Sequence, residues 1–164
     1  MVSLQGVYPV FDYAFIDEVN CPITATTQCE YDDHSIMNYI NTHHPRFAFI
    51  VKTARLDILF NDVSFRCTLF LPREETLSEA MIKNLDINSA RRLVKYHVLM
   101  GILPHDVLVT SPYQQLQTSI KGQTILARID DRSSFILNDH AYVVRWNIGA
   151  MNGIIHIISS PLLP

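Results

Sequence analysis

The run Asn152-Gly153-Ile154-Ile155-His156-Ile157-Ile158 decides how this protein folds. Asn-Gly is a turn pair, and glycine there can enter positive φ at no steric cost. The four isoleucines that follow are β-branched and do not alternate with solvent-seeking side chains. A short strand of that kind is buried on both faces. Upstream, Phe65 to Leu71 has the same character and is ended by Pro72. It predicts a second buried strand.

Between these runs the text changes period. From Asp33 it is helical: Asp33 or Ser35 can cap a helix carrying Ile36, Met37, Tyr39 and Ile40. Pro45 suits the first turn of a second helix, with Phe47, Ile50, Val51 and Ala54 at helical spacing and Leu56 and Leu59 in the turn beyond. Glu74 to Lys83 predicts a further helix with Leu77, Ala80 and Met81 on one side. Ser89 to Tyr96 predicts another, with Ala90, Leu93 and Val94 inward and Arg91, Arg92 and Lys95 in solvent. After Gly101 the pattern turns to β. Strands are expected at Gln115–Ile120, Thr124–Ile129, Ser133–Leu137, Tyr142–Trp146 and Ile154–Ile158, separated by Lys121-Gly122, Asp130-Asp131 and Asn138-Asp139. Helices first and strands later define an α+β domain rather than alternating βαβ units.

The length of 164 residues fits one domain, and 48% hydrophobic against 18% charged residues can fill a core. With 13 Lys+Arg against 16 Asp+Glu the basic surplus of a nucleic-acid binder is missing, so no nucleic-acid partner is expected. No apolar run reaches the ~18 residues of a bilayer span, so no membrane insertion is expected. The opening MVSLQGVYPVFDYAFIDEV has no basic n-region and is interrupted by Pro9, Asp12 and Asp17. It reads as a poor secretory signal, and the expectation is a protein that works where it is made, with prior removal of a signal as the alternative. Cys21, Cys29 and Cys67 cannot form a closed framework by themselves. Three free thiols are expected, with a Cys21–Cys29 bridge left open.

Residues 1–33 carry Tyr8, Phe11, Tyr13 and Phe15 but no sustained period. So many aromatics are unfavourable on a solvated tail, and this extension is expected to pack on a partner, or else on the domain of residues 34–164.

Three segments in order carry a family resemblance: Thr68-Leu69-Phe70-Leu71-Pro72, then Tyr96-His97 after a helix, then Asn152-Gly153-Ile154-Ile155-His156 with Leu162-Leu163-Pro164. Together they resemble the fasciclin (FAS1) domain over about residues 34–164. Thr68, Phe70 and Pro72 match the first motif. Arg73 and Glu74 stand where the family usually has a Thr/Ser–Asn/Asp pair, so the following helix cap is expected to be built differently. The resemblance implies a fasciclin-like fold of two steeply packed β-sheets with helices along one side. It also implies that the strand of Thr68 pairs near the Ile154–Ile158 strand, joining the start of the domain to its end. It implies an adhesion or protein-interaction module with two partner-contact regions. One is Tyr96-His97; the other is an element just before the Asn-Gly turn, here Asn147-Ile148 preceded by Trp146. Asn147 stands where the family has an Asp, which removes the charge used in integrin-type recognition.

The site reading follows from the residues beside that resemblance. His97 and His156 lie among apolar neighbours and are expected to be structural, each hydrogen-bonded to backbone, rather than a catalytic or metal pair. His43-His44 is expected to be exposed and inert. Cys67 reads as core. Trp146 is either a binding anchor or half-buried strand packing. Glu74-Glu75 and Asp130-Asp131 read as a helix first turn and a hairpin turn, and no nucleophile–base or phosphate-loop motif is present. No cofactor, no metal and no enzymatic activity are therefore expected.

The leading expectation is a non-enzymatic interaction protein, bound to other proteins as a subunit of a larger assembly. A minor structural protein of a virus particle is one such setting. A free-standing extracellular adhesion protein is the alternative. The class-distinct alternative is a carrier of a small apolar ligand held between helices and sheet.

Overall fold

The computed structural model describes Glu30, Tyr31 and residues 34–163. Tyr8, Phe11, Tyr13, Phe15, Cys21 and Cys29 lie outside the described residues.

The order is β1 (Glu30–Tyr31), α1 (Ile36–His43), α2 (Pro45–Thr53), α3 (Asp57–Phe60), β2 (Cys67–Pro72), α4 (Glu79–Lys83), α5 (Ile87–Tyr96) and β3 (Val98–Met100). Then come α6 (His105–Leu108), β4 (Tyr113–Gln117), β5 (Thr124–Ile129), β6 (Phe135–Leu137), β7 (Ala141–Ala150) and β8 (Gly153–Ile158). This is an α+β domain.

β2 and β8 are the centre. They pair in parallel over their full length, from Cys67 opposite Gly153 to Pro72 opposite Ile158. Every residue of both is buried. Alternation splits their side chains between two cores. Leu69, Leu71, Ile155 and Ile157 face the helices with Ile36, Phe47, Ile50 and Val94. Phe70 and Ile158 face Leu108, Leu116, Ile125, Phe135 and Leu137 under the second half of the sheet.

The expected pair of sheets is joined by hydrogen bonds into one path, β3-β2-β8-β7-β6-β5-β4, with β1 added to β7. The join is β7. Its first residues pair with β6 and its length pairs with β8, with register shifts between Val143 and Arg145 and between Arg145 and Ile148. Bulges of this kind bend and twist a strand. β1 runs parallel to β7, Glu30 opposite Ile148 and Tyr31 opposite Gly149. Glu30 and Tyr31, within the 1–33 segment, thus add a strand to their own domain.

Local chemistry explains the helices. Ser35 caps α1, its hydroxyl accepting from the Asn38 N–H at 3.1 Å. Pro45 opens α2, and His44 supplies no side-chain cap. Glu74 does so from across the fold, its carboxylate accepting the Arg46 N–H at 2.9 and 3.2 Å. At the turn after β2, where the altered cap was expected, Arg73 supplies no side-chain cap. The helix expected over Glu74–Lys83 is instead a 3-10 turn, Glu74–Thr76, then α4. Leu77 is extended between them and buried, and Ser78 starts a new helix by capping at Met81. In consequence Ala80 is exposed and Ile82 takes the inward position.

Two strands are displaced. β4 stops at Gln117 because the Thr118 hydroxyl bonds the Gln123 carbonyl at 2.8 Å and folds residues 118–123 into a loop. β6 starts only at Phe135 because the Asp130 carboxylate holds the N–H groups of Arg132 and Ser134 in the turn.

Gly153 is a correction of mechanism. Its φ is not in the positive range; Gly101 (+88°) and Gly122 (+83°) are. A Cβ on Gly153 would lie 2.2 Å from the Cys67 carbonyl oxygen and 2.7 Å from Ile36 Cδ1. Close approach of β8 to β2, not turn geometry, demands glycine there. Gly153→Ala is therefore expected to cost about 3 kcal/mol or more, against about 1 kcal/mol for Gly122→Ala, whose Cβ meets open space. Urea denaturation of the two variants checks the ranking; equal costs would refute the contact.

Candidate functional site

The sequence-marked polar residues converge on irregular backbone that no ladder can satisfy. Residues 101–105 cross from β3 to α6. There the Thr68 hydroxyl donates to the Gly101 carbonyl at 2.8 Å and accepts the Leu103 N–H at 2.8 Å. His156 Nε2 lies 2.8 Å from the Leu103 carbonyl, and its Nδ1 accepts the Asn147 N–H at 3.0 Å. Nε2 is thus the protonated nitrogen. Asn147, at φ +64° in β7, turns its Oδ1 back to accept the His105 N–H at 3.0 Å. Three side chains from β2, β7 and β8 thereby hold one loop at both backbone groups of Leu103 and at His105.

His97 does the same at the other end of the second core. Its Nδ1–H donates to the Leu93 carbonyl at 2.7 Å, and Nε2 accepts the Leu162 N–H at 2.9 Å. The two histidines are opposite tautomers, each fixed by a backbone donor that faces its bare nitrogen. Both are fully buried, and burial lowers each pKa from the ordinary 6.5 to about 4. At His156 the nearby His105 adds to the lowering, while the bond to Leu103 opposes it. Asn152 completes the set: its Oδ1 accepts the Ile36 N–H at 2.9 Å, and its Nδ2 donates to the Phe60 and Asp62 carbonyls at 2.7 and 3.1 Å.

The residues marked as partner contacts divide by exposure. Tyr96, His97, Asn147 and Ile148 are buried within the domain. The Tyr96 hydroxyl donates to the Thr124 carbonyl and accepts from Asn138 Nδ2, both at 2.9 Å, so it ties α5 to the β-rich half. Trp146 is half-buried. Its ring meets His105, His156 and Phe135 edge to face, at 4.7, 4.8 and 5.3 Å between centroids. His105 Nδ1 lies 2.8 Å from an Asp106 carboxylate oxygen. The loop that His156 and Asn147 anchor therefore delivers His105 against the indole. Sequence reading missed His105; its signal was the Pro104-His105-Asp106 start of a helix too short to show a period.

His44 departs from expectation. It is buried rather than exposed, against Tyr39 at 6.0 Å, and burial followed by the charge of His43 lowers its pKa. His43 beside it is exposed. Cys67 is buried in β2, and burial pushes its thiol up to about 12, far from a reactive thiolate. Among the described residues, no three His, Cys, Asp or Glu side chains are grouped so as to hold a metal ion. A cleft of about 260 Å³ is lined by Pro45, Arg46, Phe49, Glu79, Ile82 and Lys83.

The fold and these motifs define an α+β domain whose interaction-module class follows only through its relatives, and comparison with known proteins names the family. The model of the fasciclin domain matches residues 42–164, and the chain belongs to the fasciclin family. Among solved structures, a FAS1 domain pair from the insect cell adhesion molecule fasciclin I superposes with a TM-score of 0.66 at 18% identity. The match covers 80% of this chain and 51% of that one, so this chain spans about half of the pair's length. At that identity the likeness concerns the fold. No curated protein sequence matches. Fasciclin domains are typically non-enzymatic adhesion and protein-interaction modules.

The buried histidines set a pH dependence. Unfolded, each imidazole titrates near 6.5; folded, near 4. Between those values the unfolded state binds more protons, so their contribution is full above about pH 6.5. It falls with pH through the window and levels off below about pH 4. The slope is up to about 1.4 kcal/mol per pH unit for each histidine. Urea midpoints measured across this range should fall accordingly, and His156→Gln should flatten the dependence. His156→Ala is expected to cost about 2 kcal/mol or more at neutral pH, through a cavity and two orphaned backbone groups.

Proposed function

We propose that this protein is a non-enzymatic protein-interaction module that serves as a subunit of a larger assembly, with Trp146 as its anchor. The observation that supports this most is the preparation of Trp146. It is a large aromatic left partly exposed, with its ring fixed on three sides by His105, His156 and Phe135. Tryptophan held in one orientation loses little entropy on binding, and it is over-represented among residues that dominate interfaces. On this reading the buried Tyr96, His97, Asn147 and Ile148 shape the contact surface from beneath.

The setting proposed is a structural assembly such as a virus particle, in which this protein is a minor component. The 1–33 segment, with Tyr8, Phe11, Tyr13 and Phe15, is its second contact. An extracellular adhesion protein is the alternative setting. No helix among the described residues is long and apolar enough to cross a membrane. A small-ligand carrier is the weaker reading, since Phe47, Ile50, Leu69, Leu71, Ile155 and Ile157 pack the space between helices and sheet.

Affinity purification of the full-length protein from its native source, beside Trp146→Ala, tests this. Other assembly subunits should accompany the wild type. The variant should bind them about tenfold or more weakly, while still melting cooperatively. A cell-surface receptor would select the adhesion setting, and a bound lipid the carrier. Undiminished binding by the variant would remove Trp146 from the contact.

A further inference from the structure

We propose that Asn152–Gly153 is a spontaneous deamidation site that the native fold keeps shut and that opens while the protein is unfolded, so that prolonged unfolding becomes a one-way exit. The reaction needs only the polypeptide and water. The backbone nitrogen of Gly153 attacks Cγ of Asn152 and gives up its proton. The bond from Cγ to Nδ2 breaks, ammonia leaves, and a five-membered succinimide closes. Water then opens the ring at either carbonyl. One opening gives aspartate in the normal backbone; the other routes the backbone through Cγ as isoaspartate. No group is oxidised or reduced. Glycine on the following side makes the step easy, because no Cβ obstructs the attacking nitrogen and its backbone turns freely when unfolded.

In the native state every moving part is held. Asn152 is fully buried. Its Oδ1 is bonded by the Ile36 N–H at 2.9 Å, and its Nδ2 is spent on the Phe60 and Asp62 carbonyls at 2.7 and 3.1 Å. Its own backbone carbonyl accepts the Cys67 N–H at 3.3 Å. Gly153 is wedged under Cys67, with 2.2 Å between the carbonyl oxygen and the place of a Cβ. Bringing Cγ of Asn152 onto the Gly153 nitrogen means breaking three side-chain hydrogen bonds and moving a backbone that has no room to move. Reaction must wait for opening. For a domain of ordinary stability the native rate is then lower than the unfolded rate by a factor of ~10³ or more.

The products do not fit back. Aspartate puts a carboxylate oxygen where the Nδ2 donor faced the carbonyls of Phe60 and Asp62, and isoaspartate, whose Cγ has become backbone, loses that donor too. Isoaspartate also inserts a carbon into the backbone, at the point where β8 must lie against β2.

The test uses the full-length protein at mildly alkaline pH, one portion folded and one in urea. Samples are digested over time. The peptide holding residues 152–153 is weighed for amide loss, and isoaspartate is measured by enzymatic methylation. The unfolded portion should lose Asn152, the folded portion should keep it, and the fraction that refolds on dilution should fall in step with intact Asn152. Similar loss in both portions, an unfolded portion that keeps Asn152, or deamidated protein that refolds with an unchanged melting temperature would each overturn the proposal. Asn152→Asp checks the product directly: a variant that folds and melts like wild type would also overturn it.

Discussion

The structure depends on supplying partners to buried backbone that belongs to no ladder. Residues 101–105 run partly buried between β3 and α6, and β7 leaves regular geometry at Asn147. Each peptide group there would be costly without a partner. The side chains of Thr68, Asn147 and His156 provide them, and His97 and Asn152 do the same for Leu162 and for the start of α1. A neutral imidazole suits the task because it donates at one nitrogen and accepts at the other. That is why two histidines sit in the driest part of the molecule and why burial drives both away from charge.

Much of this was legible because the fold-deciding signals are local. The Ile-rich β8, the cap at Ser35, Pro45 at a helix start and the inward set Ala90, Leu93 and Val94 each rest on composition or period, and tertiary contacts reinforce them. The failures have a common origin in contacts from afar. The Glu74–Lys83 pattern breaks because buried Leu77 pulls the backbone extended and Ser78 offers a new cap. His44 is buried because Tyr39 packs on it, and Gly153 is required by a strand 86 residues upstream at Cys67, the distance between those two positions in the sequence. No local pattern announces such an approach.

The candidate site was half legible. Trp146 stood out as a lone, large residue beside a motif. The burial of Tyr96, His97, Asn147 and Ile148 did not, since their types are common on both surfaces and interiors. Asn147 is the instructive case. Its amide is absorbed by a left-handed backbone and by the His105 N–H, so its chemistry is directed inward. What reaches solvent is the indole next to it, held by the loop that Asn147 helps to fasten.

The parallel pairing of β2 with β8 also governs how the protein is made. Residues 67–72 must wait for residues 153–158 before their second edge is covered. During synthesis the helices and β2 emerge well before that partner, leaving a neutral, largely apolar strand with one open edge. Such an intermediate is slow to resolve and prone to pair with its like on another molecule. A cell producing this protein therefore has the most to gain from chaperone protection in the interval between the emergence of Pro72 and that of Ile158.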